Sequence, residues 1–339
     1  MRKLLFFVNL GLALSLNSCK NDLQVNAPWK DITNVFGLLN KGDSVQYIRI
    51  SKAFLGNGNA LEFAKNYDSL YYNANDIDVK LEKYNNQDVL ISTYTLTADT
   101  SLEKDPGIFS SPKQLLYTFN TFGASALDIN ASYKLVVKNN KNGNEVSATT
   151  RLVSNPVITK PGFNETDLRL YPSGKTAFKW NASKNGYLYE AFIRFLYKEI
   201  NPDIPTDTAY KFVELNLGRQ TNIYQEGTTP TVLEADIENK NIYQALFSFI
   251  PQATAENPAI RFPSGLEFIV NVTTNEMNTY ISVNQPSNTI TQERPQFTNI
   301  TNGIGIFSSR GNVSKFLPFR DFTLDSLQSS PITNGLNFQ

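Results

Sequence analysis

Alternation of apolar and polar residues marks several short segments of this chain and predicts β-strands. In residues 77–82, Ile77, Val79 and Leu81 alternate with charged residues, so the predicted strand has one apolar and one polar face. Similar patterns predict strands over residues 45–50, 89–96 and 115–119, and residues 61–65 fit one helical turn. We therefore expect the first half of the chain to be a series of short strands with their apolar faces on a common core.

A hairpin is the clearest local prediction. Residues 133–138 form a strand pattern, residues 139–144 are a polar turn ending in Asn-Gly-Asn, and residues 145–153 form the return strand. With Leu127 before it, the hairpin opening at Tyr133 is similar to the last two strands of a fibronectin type III or immunoglobulin-like sandwich. That resemblance implies that the Tyr133 hydroxyl turns back to a backbone group. An ordinary antiparallel hairpin that happens to carry a tyrosine is the alternative, and the short strands before it favour the sandwich.

The second half of the chain also has mainly strand patterns. Asn155-Pro156 and Lys160-Pro161-Gly162 break the pattern, and we place a domain boundary there. Further strands are predicted at residues 176–180, 187–197, 211–217 and 265–273, where Trp180 and Tyr187 resemble the aromatics of a fibronectin-like strand pair. Helical spacing appears over residues 241–250 and 275–283, the second with Asn275 as its cap and Glu276 in its first turn.

The predicted fold class is mainly β, with two β-sandwich domains of the immunoglobulin or fibronectin III type, the second containing one or two short helices. We predict a lipoprotein signal peptide over residues 1–18 and a lipidated tether over residues 19–28. An N-terminal sandwich is predicted over residues 29–155 and a C-terminal β domain over residues 156–339.

The N-terminus carries the most specific motif. Arg2 and Lys3 precede a short apolar run, and Leu16-Asn17-Ser18-Cys19 resembles a bacterial lipobox, in which the cysteine is lipidated. A transmembrane anchor is the alternative, but the run is shorter than the ~20 residues that span a bilayer. An ordinary signal peptide followed by a chance cysteine is the other alternative. Since Cys19 is the only cysteine of the chain, we expect it to be the lipid anchor.

Composition excludes several classes of function. The chain has no histidine and a net charge of zero, so histidine-based catalysis, the usual zinc sites and phosphate-backbone binding all lack their residues. We expect no enzyme activity, no cofactor, no metal and no nucleic-acid partner. A carboxylate-based hydrolase is the remaining enzymatic alternative, although no carboxylate pair stands out. Turn residues with oxygen donors lack the regular spacing of a calcium loop; they are Asn57, Asn59, Asp76 and Asp78.

Three segments together resemble a known family. Residues 43–56, the hairpin from Tyr133, and residues 297–307 are similar to a large family of Bacteroidota lipoproteins of unknown function. The resemblance implies a lipid-anchored, mainly β envelope protein that acts beside TonB-dependent outer-membrane transporters. In the last segment, Gly303 and Gly305 predict a tight turn or close backbone packing. Three apolar side chains of the same segment are predicted to fill the core: Ile304, Ile306 and Phe307.

The leading functional hypothesis is a non-enzymatic accessory or docking partner of such a transporter. The alternative is a glycan-binding or adhesion module, for which the candidate rings are Trp29, Tyr67, Tyr71 and Tyr72. A buried edge is the preferred interpretation of the Tyr71-Tyr72 pair, and a peptide ligand is also open. We expect an outer-membrane location, and Lys20 and Asp22 after the cysteine weakly favour the cell-surface side over the periplasmic side.

Overall fold

A computed structural model describes residues 32–53, 59–223, 227, 229–256, 258–285 and 296–339. The predicted signal peptide, Cys19, the tether, Trp29 and Asn57 lie outside these residues. Across the described ranges, no helix combines the length and apolar character needed to cross a bilayer.

The prediction of a mainly β fold is confirmed. The strands in the described residues are β1 (Thr33–Asn40), β2 (Val45–Lys52), β3 (Ile77–Tyr84), β4 (Leu90–Thr95), β5 (Thr97–Asp99), β6 (Leu116–Asn120), β7 (Ser132–Asn139), β8 (Glu145–Arg151), β9 (Val157–Lys160), β10 (Lys175–Asn181), β11 (Leu188–Asn201), β12 (Ile204–Thr221), β13 (Val232–Glu238), β14 (Ile260–Thr273) and β15 (Ile304–Pro318). The helices are α1 (Ala60–Lys65), α2 (Tyr67–Leu70), α3 (Asn239–Phe249), α4 (Asn275–Asn284) and α5 (Asp321–Ser329).

One long sheet runs through both halves of the molecule. Its strand order is β12-β11-β14-β15-β1-β2-β6-β5. A four-stranded sheet, β4-β3-β7-β8, covers one end of it, and a three-stranded sheet, β13-β10-β9, belongs to the other end. Two hydrophobic cores result, one at each end of the long sheet.

The first core lies between the four-stranded sheet and strands β1, β2 and β6. As predicted, Ile77, Val79 and Leu81 of β3 are buried there while the residues between them are not. The predicted hairpin forms from β7 and β8, and Tyr133 is fully buried. The backbone N–H of Asp128 donates a 2.7 Å hydrogen bond to the Tyr133 hydroxyl, which confirms the predicted contact of that hydroxyl with the backbone.

The second core packs strands β11, β14 and β15 against the three-stranded sheet and helices α3 and α5. Trp180 is buried here beside Phe268, whose ring stacks on Phe178 at 4.4 Å. Tyr187, which the sequence pattern placed beside Trp180, is only half-buried. The tyrosine buried near the start of this strand is Tyr189, and the N–H of Ser183 donates a 2.8 Å hydrogen bond to its hydroxyl.

Strand β15 belongs to both cores. It pairs in parallel with β1 from Ile304 to Arg310 and antiparallel with β14 from Arg310 to Pro318. Ile300 and Phe307 lie in the first core, although the predicted division at residue 155 assigns them to the second domain. That division itself stays a prediction.

The glycines near the start of β15 approach the neighbouring strand closely, as predicted. A Cβ on Gly303 would lie 2.8 Å from the Thr33 carbonyl oxygen, and Gly305 has a φ of +111° with its backbone against Val35. Ile306 and Phe307 are fully buried, but the prediction that Ile304 plugs the core is wrong, because its side chain is exposed.

Helix predictions are confirmed at α1, α3 and α4, with one correction. The cap of α4 is Thr274, whose hydroxyl accepts from the Met277 N–H at 3.3 Å, and Asn275 is already the first helical residue. Helix α5 adds a helix that the sequence pattern did not predict.

Candidate functional site

The tyrosines considered as sugar platforms have mostly structural contacts. Tyr71 and Tyr72 are buried, as the preferred interpretation held, and the Tyr72 hydroxyl lies 3.0 Å from the Thr33 hydroxyl. Burial raises the pKa of Tyr71 above its usual value. One side of the Tyr67 ring meets Tyr71, with ring centroids 4.8 Å apart, and the Lys113 ammonium lies 4.7 Å from the same ring. A cleft of about 620 Å³ beside these rings therefore offers edges more than open aromatic faces.

The three oxygen donors considered for calcium that lie in the described residues do not form a common site. Asn59 caps α1 by accepting from the Leu61 N–H at 2.9 Å, and Asp76 forms a 2.7 Å ion pair with Lys141. Asp78 points outward from β3. No group of three or more acidic, histidine or cysteine side chains gathers as a metal site within the described part of the chain.

A different surface presents open aromatic rings. On the outer face of the long sheet, four aromatic side chains of β12, β14 and β15 are 39% to 83% exposed; they are Tyr210, Phe212, Phe262 and Phe316. We call this surface the distal aromatic face. Single exposed apolar residues are ordinary, whereas a group of them on neighbouring strands is typical of an interaction site.

Strand pairing brings these rings together. Leu196 of β11 pairs with Phe212 on one side and with Gly265 on the other, and Lys198 pairs with Tyr210 and with Phe262. The intervening residues of β11, Phe195 and Tyr197, point into the second core because side chains alternate along a strand.

Gly265 makes room for the Phe316 ring. A Cβ at this glycine would lie 2.5 Å from two atoms of that ring, so any other residue here would displace it. The ring of Phe316 therefore lies across β14, where it continues the aromatic surface of β12.

Charged side chains border the rings, and the arginine among them is paired with carboxylates. Arg194 forms a 2.7 Å ion pair with Glu214, lies 3.8 Å from Glu267, and stacks its guanidinium 5.1 Å from the centre of the Phe212 ring. The Lys198 ammonium lies 5.6 Å from the centre of the Phe262 ring. The surface thus combines flat aromatic area with an arginine, the residue types that dominate binding energy at protein interfaces.

The distal aromatic face lies far from the start of the fold. Strand β1 begins beside Ile304, since Asn34 pairs with that residue, while Phe316 is near the opposite end of β15. At roughly 3.3 Å per strand residue, the two ends are about 40 Å apart.

Two cavities lie where the sandwiches meet. The first, of about 370 Å³, lies under Met277 and Ile281 of α4, and its polar residues mostly bind one another. Asn40 donates to Asp43 and to Asn312, and Arg310 forms a 3.2 Å ion pair with Asp43. The second, of about 510 Å³, lies at the N-terminal end of α4. The polar contacts of the first cavity fix the junction between the two sandwiches.

Sequence reasoning did not find the distal aromatic face. A signal was available in residues 210–217, where Tyr210 and Phe212 occupy one parity of the strand while Val213, Leu215 and Leu217 occupy the other. A strand with apolar residues on both faces indicates that the face away from the core is also covered by another part of the protein or by a binding partner.

Comparisons with known proteins do not identify a family for this chain. No family model matches the chain, and no curated protein matches it. Among solved structures, a trypsin-activated α2-macroglobulin from Escherichia coli is 11% identical with a TM-score of 0.18, covering 72% of this chain and 19% of the other. A β-glucuronidase from Bacteroides uniformis is 8% identical with a TM-score of 0.15, covering 84% of this chain and 32% of the other. The chain thus spans less than a third of either protein, and the two likenesses carry no argument about function.

Proposed function

We propose that this chain is a lipid-anchored, non-enzymatic protein of the bacterial outer membrane that docks on a TonB-dependent transporter. The observation that carries the proposal is the distal aromatic face, an exposed group of rings without a partner strand or helix among the described residues. The lipobox at Cys19 and the resemblance to Bacteroidota envelope lipoproteins supply the location and the class of partner.

The position of the face supports docking on a protein. With the lipid on Cys19, the anchored end of the fold is the start of β1, and the face lies about 40 Å farther along β15. A surface held that far from its anchor is suited to a partner that extends beyond the bilayer, such as the extramembrane loops of a large barrel.

The chemistry of the face supports the same conclusion. Its rings are large and carry few rotatable bonds, so they can bury much area at low cost in side-chain entropy, and Phe212 lies against Arg194. Arg194 is already paired with Glu214 and Glu267, so docking over Phe212 would bury these charges together with their partners.

The test is immunoprecipitation of the acylated protein from native membranes in mild detergent, read by mass spectrometry. The wild type should recover one TonB-dependent barrel. A double variant, Phe212→Ser with Phe316→Ser, should recover it at least about tenfold less, because interface hot spots contribute ~2 kcal/mol or more each. The matched control is Phe163→Ser, since Phe163 is 98% exposed but lies outside the face.

Three results would contradict the proposal. Recovery of no barrel by the wild type would remove the transporter as partner. Equal recovery by the double variant would remove the distal aromatic face as the docking surface. Binding to a glycan array that the double variant loses, with no barrel recovered, would replace docking with the alternative of sugar recognition. Protease treatment of intact cells tests the surface side of the membrane, where the protein should be cleaved.

A further inference from the structure

Three cationic side chains line one small pocket at the start of the fold. The pocket has a volume of about 200 Å³ and is lined by Arg49, Lys52 and Lys104, with no carboxylate among its described lining residues. It lies where β1 begins and β2 ends, because Asn34 and Ser51 pair with each other and both line it. A concave site lined by charges of one sign focuses their potential, so this pocket attracts anions.

The charges of these three side chains are not compensated by the protein. Within the described part of the chain, none of the three forms an ion pair with a carboxylate. Several arginines elsewhere in the fold do pair with carboxylates; they are Arg194, Arg219, Arg261, Arg310 and Arg320. In a chain with zero net charge, a cluster of unpaired cations is a local excess that a bound anion would neutralise.

Aromatic rings hold the three cations in place. The Lys104 ammonium lies 5.2 Å from the centre of the Phe109 ring, and the Arg49 guanidinium lies 5.6 Å from that of Phe36. The third cation lies 5.9 Å from the centre of the Tyr72 ring. Such contacts position a cationic side chain and leave its full charge available to a ligand.

Exposed apolar side chains border the same pocket. Phe109 lines it, Ile108 precedes Phe109, and Ile304 pairs with Asn34 of the pocket. These three apolar side chains are 41% to 64% exposed. Cations beside exposed apolar side chains are typical of surfaces that lie on a lipid bilayer, because the cations meet head-group phosphates while the apolar groups enter the acyl boundary.

We propose that this pocket binds the phosphate of lipid head groups and holds the first sandwich against the membrane surface. Arg49 can donate two N–H groups to one phosphate, and Lys52 and Lys104 supply further positive charge. Asn34 and Ser51 add an amide and a hydroxyl to the lining. The cavity is smaller than the ~300 Å³ from which pockets for drug-sized ligands begin, so it suits a single head group.

The start of the described chain favours a membrane lipid as the occupant. Ala53 lines the pocket, and its N–H donates a 2.9 Å hydrogen bond to the carbonyl of Ile32, the first described residue. Cys19, the expected site of lipid attachment, lies thirteen residues before Ile32. Even fully extended, a segment of that length spans only about 45 Å, so the anchor keeps the pocket near a dense layer of phosphates. The inference therefore rests on the lipid anchor of the proposed function, but not on the distal aromatic face.

The test compares the acylated protein on vesicles of phosphatidylcholine with the same protein on an equal mixture of phosphatidylcholine and phosphatidylglycerol. A brief pulse of an amine-reactive reagent, read by mass spectrometry, gives the reaction rate of each lysine. Lys52 and Lys104 should react about fivefold or more slowly on the mixed vesicles, because phosphatidylglycerol has no choline to compete for its phosphate. Lys240, which is exposed on α3 of the second sandwich, should react equally on both.

Two further arms separate the pocket from general attraction and from a soluble ligand. Arg49→Gln should lose most of the protection of Lys52 and Lys104. The matched control is Arg151→Gln, which removes the same charge from an exposed arginine outside the pocket and should keep the protection. Inorganic phosphate at millimolar concentration, added to the protein in neutral detergent, should protect neither lysine.

Fluorescence tests the apolar border of the pocket. In a Trp29→Phe background, Phe109→Trp adds a reporter beside the cations, while Trp180 is buried and gives a constant signal. Its emission should fall by about half or more on mixed vesicles whose acyl chains carry bromine, because the ring enters the acyl boundary. Phe163→Trp is the matched control, since Phe163 is exposed in the second sandwich, and its emission should not change.

Several results would overturn the proposal. Equal rates for Lys52 and Lys104 on the two kinds of vesicle, protection that Arg49→Gln retains, or an unquenched Phe109→Trp would each do so. Protection by inorganic phosphate alone would replace the lipid with a soluble anion. The mass of the mature protein separates this inference from the proposed function: Cys19 without lipid would remove both, whereas an acylated protein with unprotected lysines would overturn only the pocket. Failure to recover a barrel would overturn only the docking.

Discussion

At the scale of single residues, two buried tyrosines fix the loops that precede their strands. Tyr133 in the first sandwich accepts from the Asp128 N–H, and Tyr189 in the second accepts from the Ser183 N–H. We expect Tyr133→Phe to lower the free energy of unfolding by about 1–3 kcal/mol, because it leaves the N–H of Asp128 without its acceptor. Tyr189→Phe should cost a similar amount. Equilibrium denaturation in urea measures both.

Tyr117 provides the control for that prediction. It is as buried as the other two, but its hydroxyl has no hydrogen-bond partner among the described residues, and burial raises its pKa to about 12. Removing an unpaired buried hydroxyl removes a desolvation cost, so Tyr117→Phe should leave stability unchanged or increase it. If Tyr133→Phe were as harmless as Tyr117→Phe, the hydrogen bond to Asp128 would contribute nothing to stability.

At the scale of elements, the parallel pairing of β1 with β15 depends on Gly305. Its φ of +111° is unfavourable for other residues, and a Cβ would collide with the carbonyl oxygen of Val35. We expect Gly305→Ala to lower the free energy of unfolding by about 3 kcal/mol or more. Gly143→Ala is the matched control: its φ is +75°, but nothing lies within 4 Å of the added Cβ, so only the backbone cost of about 1–2 kcal/mol remains. If Gly305→Ala and Gly143→Ala lowered the free energy of unfolding by the same amount, the close contact of Gly305 with β1 would not contribute to stability.

How far elements can be predicted from the sequence depends on where their partners are. Strands β3, β7 and β8 were predicted because each has one buried and one exposed face and a partner nearby in sequence. Strand β15 was not predicted, and only the close backbone packing of Gly303 and Gly305 was, since its partner β1 lies at the other end of the chain and no local pattern encodes that pairing. The cap of α4 was misplaced by one residue because Thr274 and Asn275 are both good capping types.

The distal aromatic face depends on the same long-range pairing. Phe212 and Phe316 are far apart in sequence, and only the sheet order β12-β11-β14-β15 brings them to one surface. The alternation within each strand could show that these residues lie on the outer side, but not that they are neighbours.

At the scale of the whole molecule, the two sandwiches are joined by more than a linker. Strand β15 runs through both cores, and Ser309 at its middle accepts from the Val153 N–H and donates to the Arg151 carbonyl, each at 2.8 Å. The Asn185 side chain donates to the Leu152 carbonyl at 2.8 Å. Because the first sandwich cannot unfold without removing β1 from β15, we infer that both cores unfold together.

A core substitution far from the second sandwich tests this coupling. Leu135→Ala empties a buried position of the first core and should lower the free energy of unfolding by about 2–5 kcal/mol. Trp180, buried in the second core, reports the other sandwich when Trp29→Phe removes the second tryptophan of the chain. If the two cores unfold together, Leu135→Ala should shift the denaturation midpoint measured by Trp180 emission and the one measured by circular dichroism by the same amount. Leu246→Ala in the second core should shift both midpoints equally as well. An unchanged Trp180 midpoint beside an early dichroism transition would mean that the sandwiches unfold separately, and β15 could then not hold the distal aromatic face in a fixed position relative to the anchored end.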